Sequence, residues 1–390
     1  MEDNFFTILP SQGQLFKLTR PLYARAYYRD YSIDLLSKSK NQITFKDWYQ
    51  GLDQKVSEFI DSKRVIHLFY ESSFYIEGMN ELISEDDLLG IDITYEHSQS
   101  FTFEDIPNSI ELLNTHKMSF KEYEEKFNQG YEELKKGNCY QFNLTSYSQY
   151  TFSSNNTPWD FIKRLWDIEG NRGAYANATF IPFFNKLFLS NSPECLFDFK
   201  DGTIVTRPIK GTIKRESDNP NEIKALWREL SSDKKSEAEL FMIADLLRND
   251  LCRIDRPNAI IEKRKAMLLV PHLIHQYSEL SVKVSKNITL KNILDKMFPG
   301  GSITGAPKKR VIKLLNELEG YRRGLYCGST ILINKGTIKS SINIRSATIC
   351  FNNSMLTYAS GGGITLKSDA QNEYLEMSYK EKSFIDLLTP

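Results

Sequence analysis

An excess of charge of either sign is what this 390-residue chain lacks: fifty Lys and Arg balance fifty Asp and Glu, so no global field draws it to nucleic acid or to an anionic membrane. A small neutral or anionic substrate held by local charges fits that balance better. Cysteine is scarce. The five present, Cys139, Cys195, Cys252, Cys327 and Cys350, form no CxxC pair and are odd in number, which argues against a disulfide framework and a zinc ribbon. The His272-x-x-His275 pair has no thiol or acid run beside it to complete a zinc site. A reducing cytoplasm is the simplest setting. No apolar run reaches the roughly 18 residues of a membrane span, and the start Met1-Glu2-Asp3-Asn4 is acidic rather than basic, so neither a span nor a signal peptide is expected. Internal repeats and low-complexity tracts are missing, and the Asn- and Ser-rich stretch 153–157 reads as a loop.

What is present is enough apolar residue, 41%, for a large core or for two lobes sharing one. Residues 1–115 read as polar and irregular, with a helical pattern near 45–63 and an apolar run Val65-Ile66-His67-Leu68-Phe69-Tyr70 followed by Leu89 to Ile93. They are expected to form a small N-terminal lobe. Between Ser119 and Lys136, Phe120, Tyr123, Phe127, Tyr131 and Leu134 recur at helical spacing, with Ser119 as cap and Gly137 as terminator. Beyond Cys139 the pattern mixes strand runs (140–150, 186–200, 271–284, 328–334, 339–350, 354–360) with helices near 158–168, 236–250, 290–297, 306–318 and 370–388. Many short, polar-turned strands predict antiparallel pairing and an α+β chain, with residues 116–390 as the main domain.

Several segments carry chemistry-bearing residues. Thr206-Arg207-Pro208-Ile209-Lys210-Gly211-Thr212 presents a lysine between a Pro-stiffened strand end and a glycine turn. Such an amine is a nucleophile when neutral, or an ordinary exposed turn lysine. Glu373, Glu376 and Lys380 share one helical face, which suits either an oxygen-ligand Mg²⁺ site or an i,i+4 ion pair. Phe298-Pro299-Gly300-Gly301-Ser302-Ile303-Thr304-Gly305-Ala306-Pro307-Lys308 is a glycine-rich turn feeding a helix whose N–H groups favour anions, although no GxxxxGKS/T phosphate-loop spacing is present. Ser360-Gly361-Gly362-Gly363-Ile364 reads as backbone that approaches a ligand or as a plain hairpin. In Ile342-Asn343-Ile344-Arg345-Ser346 an alternating strand would offer a guanidinium to a carboxylate, or form a cross-strand salt bridge.

From about residue 120 to 385 the order of these blocks resembles the chorismate-utilising enzymes: SPE at 192–194, PIKGT at 208–212, AEL…DLLRNDL at 238–251, FPGGSITGAPK at 298–308, NIR at 343–345, GGGI at 361–364 and EYLEM at 373–377. That family includes anthranilate synthase component I, aminodeoxychorismate synthase component I, isochorismate synthases and salicylate synthases. The resemblance implies a fold of antiparallel β-sheets packed face to face with flanking helices, chorismate as substrate and Mg²⁺ as cofactor. It also implies that water-using members carry a lysine where this chain has Gln141, and that lysine in PIKGT, where anthranilate synthases usually have alanine, marks the aminodeoxychorismate synthase branch, which leads to 4-aminobenzoate and folate. By position in the motifs, Lys210 looks like the nucleophile, Glu194 the acid/base with His275 beside it, and Glu239 and Glu376 the metal ligands with Glu373 in support. Tyr326 and Arg345 look like a carboxylate clamp, and Gly211, Thr212, Ser302, Gly362, Gly363 and Lys380 line the ring and its carboxylate. His275 reads equally as a core histidine. One departure is Ser236, where relatives commonly have an acid, and the N-terminal lobe lacks a recognisable tryptophan-binding signature.

No glycine-flanked elbow cysteine is present to release ammonia from glutamine. A separate glutaminase subunit is therefore expected to supply it. The alternatives at this stage are an anthranilate synthase and a non-catalytic module that binds an anionic metabolite.

Overall fold

A computed structural model of the protein describes residues 5–11, 13–56, 63–103, 107–166, 172–254, 259–270 and 273–389. Met1 to Asn4 and His272 lie outside them. The first 115 residues are not irregular: Phe6–Ser11, Gln14–Tyr27, Lys63–Leu68 and Gly90–Phe101 are strands. The 14-residue strand Gln14–Tyr27 hides in the sequence because Pro21 breaks its alternation. A register shift between Pro21 and Tyr23 absorbs the proline against Gly90–Phe101. The helical pattern near 45–63 is the short helix Phe45–Gly51, capped by Thr44; residues 57–62 lie outside the described ones.

Every named strand pairing is antiparallel. In one limb of the sheet Gln141–Thr151 pairs with Met355–Ile364, which pairs with Ser346–Cys350, and the chain of partners continues through Lys186–Ser190 to Asn177–Ile181. In the other, Gly90–Phe101 pairs with Lys63–Leu68, then Ser329–Asn334, Thr337–Ser341, Cys195–Lys200, Thr203–Thr206 and Leu273–Lys283. Phe6–Ser11 and Gln14–Tyr27 join the two limbs. Because these strands come from both ends of the chain, the N-terminal residues are built into the same sheet as the rest.

The limbs pack face to face. Val65, Phe69, Ile91 and Ile93 of one meet Ile181 and Phe188 of the other, while hydrogen bonds cross between them from His67 Nε2 to Thr179 Oγ1 (2.9 Å) and from Thr330 Oγ1 to Asn177 Oδ1 (3.1 Å). His67 is fully buried, and burial pushes its imidazole down to about 3. An unfolded histidine titrates near 6.5, so below that pH the unfolded chain binds a proton that the fold refuses. Stability therefore falls as pH drops from about 6.5 toward 3, by on the order of a few kcal/mol. Thermal melts across that window should show the decline, and His67→Leu should flatten it relative to the parent; a parallel decline in both would assign the loss to other groups.

The expected helix at 119–136 is present as Phe120–Lys135, with a capping box between Ser119 and Glu122. Its Tyr123, Phe127 and Leu134 pack with Val311 and Leu315 of helix Lys308–Glu319 and Met377 of helix Ala370–Leu388. Helix Lys234–Cys252, capped by Asp233, buries Leu240, Ile243 and Leu247. No helix among the described residues is long and apolar enough to cross a membrane.

Candidate active site

Lys210 does not sit in a turn. It lies in the strand Ile209–Lys214, whose pairing with Leu273–Lys283 jumps from Ile209↔Tyr277 to Thr212↔His275. Three steps on one strand match two on the other, so Lys210 and Gly211 together oppose Gln276: a β-bulge. Gly211 has φ +84°, and a Cβ there would stand 3.0 Å from Ser236 Cβ, 3.2 Å from Leu230 Cδ1 and 3.3 Å from Gln276 Nε2. Glycine satisfies both the conformation and the close approach. The consequence is that Ile209, Lys210, Gly211 and Thr212, four consecutive residues, all line one cavity of about 490 Å³, where a regular strand would offer only alternate ones.

Arg345 also departs from the sequence reading. It is not within a strand but in the link between Thr337–Ser341 and Ser346–Cys350, with left-handed φ +49°. The link is held by the Ser192-Pro193-Glu194 turn: Ile342 N donates to Glu194 O (3.0 Å), Asn191 N to Arg345 O (2.9 Å) and Ser192 Oγ to Ile342 O (2.5 Å). Two segments some 150 residues apart in sequence thus clasp each other, bringing Glu194 and Arg345 to the same cavity. Glu194 Oε1 accepts from Ser302 Oγ at 2.7 Å. Burial pushes the Glu194 carboxyl above the ordinary range, against the opposing pull of that hydroxyl and of the Lys210 and Lys380 charges. His275 shares a hydrogen bond with Thr212 (Nδ1 to Oγ1, 2.8 Å), and burial, with Arg345 adding to it, lowers its imidazole to about 4. It is neutral at physiological pH, 7% exposed and open to the cavity, which combines both readings of it.

The glycine triplet is not a hairpin but the end of strand Met355–Ile364, with Gly363 opposite Asn143 and Gly362 opposite Leu144. A Cβ on Gly363 would meet Gln141 Nε2 at 2.6 Å, and one on Gly362 would meet Glu373 Oε2 at 2.9 Å. The first glycine seats the Gln141 amide; the second lets a carboxylate from helix Ala370–Leu388 descend onto the sheet. From the same helix Lys380 Nζ donates to Gly361 O (2.9 Å) and pairs with Glu376 (2.9 Å), so the i,i+4 ion pair is formed inside the cavity wall. The glycine-rich turn at 298–308 contributes Ser302 and Ile303, whereas the start of the helix it feeds is turned elsewhere, with Lys308 paired to Asp250 (3.3 Å).

The residues assigned catalytic, substrate-binding or metal-binding roles from the sequence therefore line one cavity: Lys210, Glu194, His275, Gly211, Thr212, Ser302, Tyr326, Arg345, Gly362, Gly363, Lys380, Glu239, Glu373 and Glu376, whereas Gln141 is not part of its lining. Its volume and mixed lining suit a small organic anion. Among the described residues no group of three or more His, Cys, Asp or Glu side chains is gathered to hold a metal on its own. Glu239, Glu373 and Glu376 nonetheless fit Mg²⁺: they are oxygen donors from two helices facing one space, and that ion commonly takes one or two protein carboxylates and completes its shell with water and substrate oxygens. The crowding is visible in Glu373, whose carboxyl is raised by burial, with the charge of Glu376 adding to it. The sequence reading missed Asn143, Lys235, Tyr358 and Ser360 in the lining. Asn143 was within reach, since it stands two residues from Gln141 and so on the same face of its strand.

Beneath the cavity lies a buried ion pair. Arg323 donates to Glu319 through Nε (2.8 Å) and Nη2 (2.6 Å), to Ile303 O through Nη1 (3.1 Å) and to Asn143 O through Nη2 (2.7 Å), while Glu319 Oε1 accepts from Thr145 N and Oγ1. This network ties the strand carrying Asn143 to the turn carrying Ser302.

Residues 70–386 match the family described as chorismate binding enzyme. The chain is 35% identical over 261 residues, 66% of its own length, to aminodeoxychorismate synthase component 1 of Klebsiella aerogenes, and 30% identical over 263 residues to anthranilate synthase component 1 of Saccharolobus solfataricus. The matched stretches span 56% and 60% of those relatives. In three dimensions it superposes on anthranilate synthase component I from Streptococcus pneumoniae with a TM-score of 0.76 and 21% identity, covering 96% of this chain and 93% of the other.

Proposed function

The chain belongs to the chorismate binding enzyme family, and from that premise we propose that it converts chorismate and ammonia into 4-amino-4-deoxychorismate and water. The observation that carries this reading is the Lys210 bulge: an amine with no hydrogen bond or ion pair to any described residue, on rigid backbone, in the same cavity as a carboxyl held toward its protonated form. In a first step the Lys210 amine bonds to C2 of the ring, both ring double bonds shift by one position, and the C4–O bond breaks as Glu194 gives its proton to the departing hydroxyl, which leaves as water. In a second step ammonia bonds to C4, both double bonds shift back, the C2–N bond breaks and its electron pair returns to Lys210. The proton shed by the new amine restores Glu194. Gln141, a neutral amide, cannot serve as the base that water attack would need.

Arg345 and Tyr326, which line the same cavity, would clamp one substrate carboxylate. Glu239, Glu376 and Glu373 would hold Mg²⁺, which when bound neutralises the other carboxylate and fixes the ring. We assign ammonia production to a separate glutaminase partner, in keeping with the missing nucleophilic cysteine. Both assignments are tested together by incubating the purified chain with chorismate, Mg²⁺ and either ammonium or glutamine, then separating products by mass. Ammonium should yield 4-amino-4-deoxychorismate, and glutamine alone nothing. Fluorescent anthranilate would replace this reading with the sister activity, turnover of glutamine would remove the partner, and chorismate left intact by ammonium would leave only a binding module.

A further inference from the structure

Asn143 is 94% buried by its neighbours yet lines the cavity, and its side-chain amide makes no hydrogen bond with any described residue. Its backbone is fully engaged: N donates to Thr304 O (2.8 Å) and O accepts from Arg323 (2.7 Å). The residue is thus fixed in place while its functional group is left vacant. The partner directly across the ladder is Gly363, and opposed residues in an antiparallel pair project their side chains to the same face. The glycine offers no cross-strand side chain to Asn143, the space over it is taken by the Gln141 amide, and Asn143 borders the cavity.

Resting on the reading given above, we propose that Asn143 is the ammonia-holding residue of this site, its Oδ1 accepting an N–H from ammonia so that the lone pair is left for C4. Lys210, Lys235, Arg345 and Lys380 line the cavity together with Glu194, Glu239, Glu373 and Glu376, so its charges are mixed; the species that reacts is neutral ammonia, the form that carries a lone pair, and a neutral acceptor can hold it without taking its proton. The position suits the step. Thr304, bonded to Asn143, lies two residues beyond Ser302, whose hydroxyl is on Glu194, and Glu194 is the group that receives the proton shed by the incoming nitrogen. Bonds made and broken are those of the second step already described; Asn143 adds no proton and removes none.

The test is ammonium-dependent turnover at saturating chorismate and Mg²⁺ in the parent, Asn143→Leu and Asn143→Asp. Leucine keeps the volume and removes the acceptor, so the KM for ammonium should rise at least ten-fold while the KM for chorismate changes less than about three-fold. Aspartate keeps an acceptor oxygen and should restore ammonium binding to within a few-fold of the parent. An unchanged ammonium KM in Asn143→Leu, or a rise confined to chorismate, overturns the assignment; so does aspartate behaving like leucine. If leucine does not fold, Asn143→Ala gives the same comparison. Failure of the parent itself to aminate chorismate would instead sink the reading of the activity on which this rests.

Discussion

Lys210→Ala should fold as the parent does, bind chorismate with a KM within a few-fold of it, and form 4-amino-4-deoxychorismate at least about 1000-fold more slowly, a loss of roughly 4 kcal/mol in transition-state stabilisation. The folding half of this expectation follows from the contacts: Lys210 is only half-buried and has no bonded partner among the described residues, while the bulge is maintained by Gly211 and by the pairing on either side. The catalytic half follows from the chemistry, because without the amine there is nothing to occupy C2 while the hydroxyl departs from C4. Small-molecule amines that fit the vacated space should partly rescue the variant. Intact mass of the parent, quenched during turnover in limiting ammonium, should show a protein species heavier by the dehydrated substrate, absent from Lys210→Ala. An unchanged rate of amination in the variant would remove Lys210 from the reaction.

The largest expected effect on stability lies below the site, at Arg323. Its guanidinium is 4% exposed and divides its hydrogens among one carboxylate and two main-chain carbonyls. Arg323→Met leaves the Glu319 carboxylate buried without its countercharge and strips Asn143 O and Ile303 O of donors, for a cost of about 3–5 kcal/mol. Glu319→Gln should cost less, since an amide oxygen can still accept from Thr145. The double variant should recover part of the loss but not all of it, because the two carbonyls stay unsatisfied in either background. Denaturant midpoints of the four proteins give the coupling directly. Full recovery in the double variant would show that the pair only balances its own charges and does not secure the cavity floor.

How far the residues foretold this arrangement depended on whether the relevant signal was local. The helix Phe120–Lys135 was legible to within a residue because a Ser119 cap, an apolar stripe and Gly137 all lie inside the segment they define. The joint placement of Lys210, Glu194, Arg345 and Glu376 came from the wording and order of motifs, since nothing in any one of them says which others it will meet. What stayed hidden was set by partners distant in the chain. The Lys210 segment carries Pro208 and Gly211, which locally spell a turn, and only pairing with His275 and Tyr277 keeps it extended. Arg345 stands in an apolar alternation that reads as strand, yet the Ser192–Glu194 turn pulls it into a left-handed link. Gln14–Tyr27 looked irregular because its proline is compensated by a shift in the neighbouring strand.

The bulge also separates what can vary from what cannot. Position 211 is closed to any side chain by its φ angle and by Ser236, Leu230 and Gln276 around it, whereas no described residue hydrogen-bonds the side chain at 210. A single codon change at 210 can therefore replace the side chain without disturbing the bulge, and the new side chain will emerge at the same place in the cavity. A divergent descendant need not rebuild the pocket to acquire a different product. On the proposed mechanism the reagent is a removable tip on a fixed tool, and one-step exchange between sister activities is an evolutionary path that the backbone leaves open.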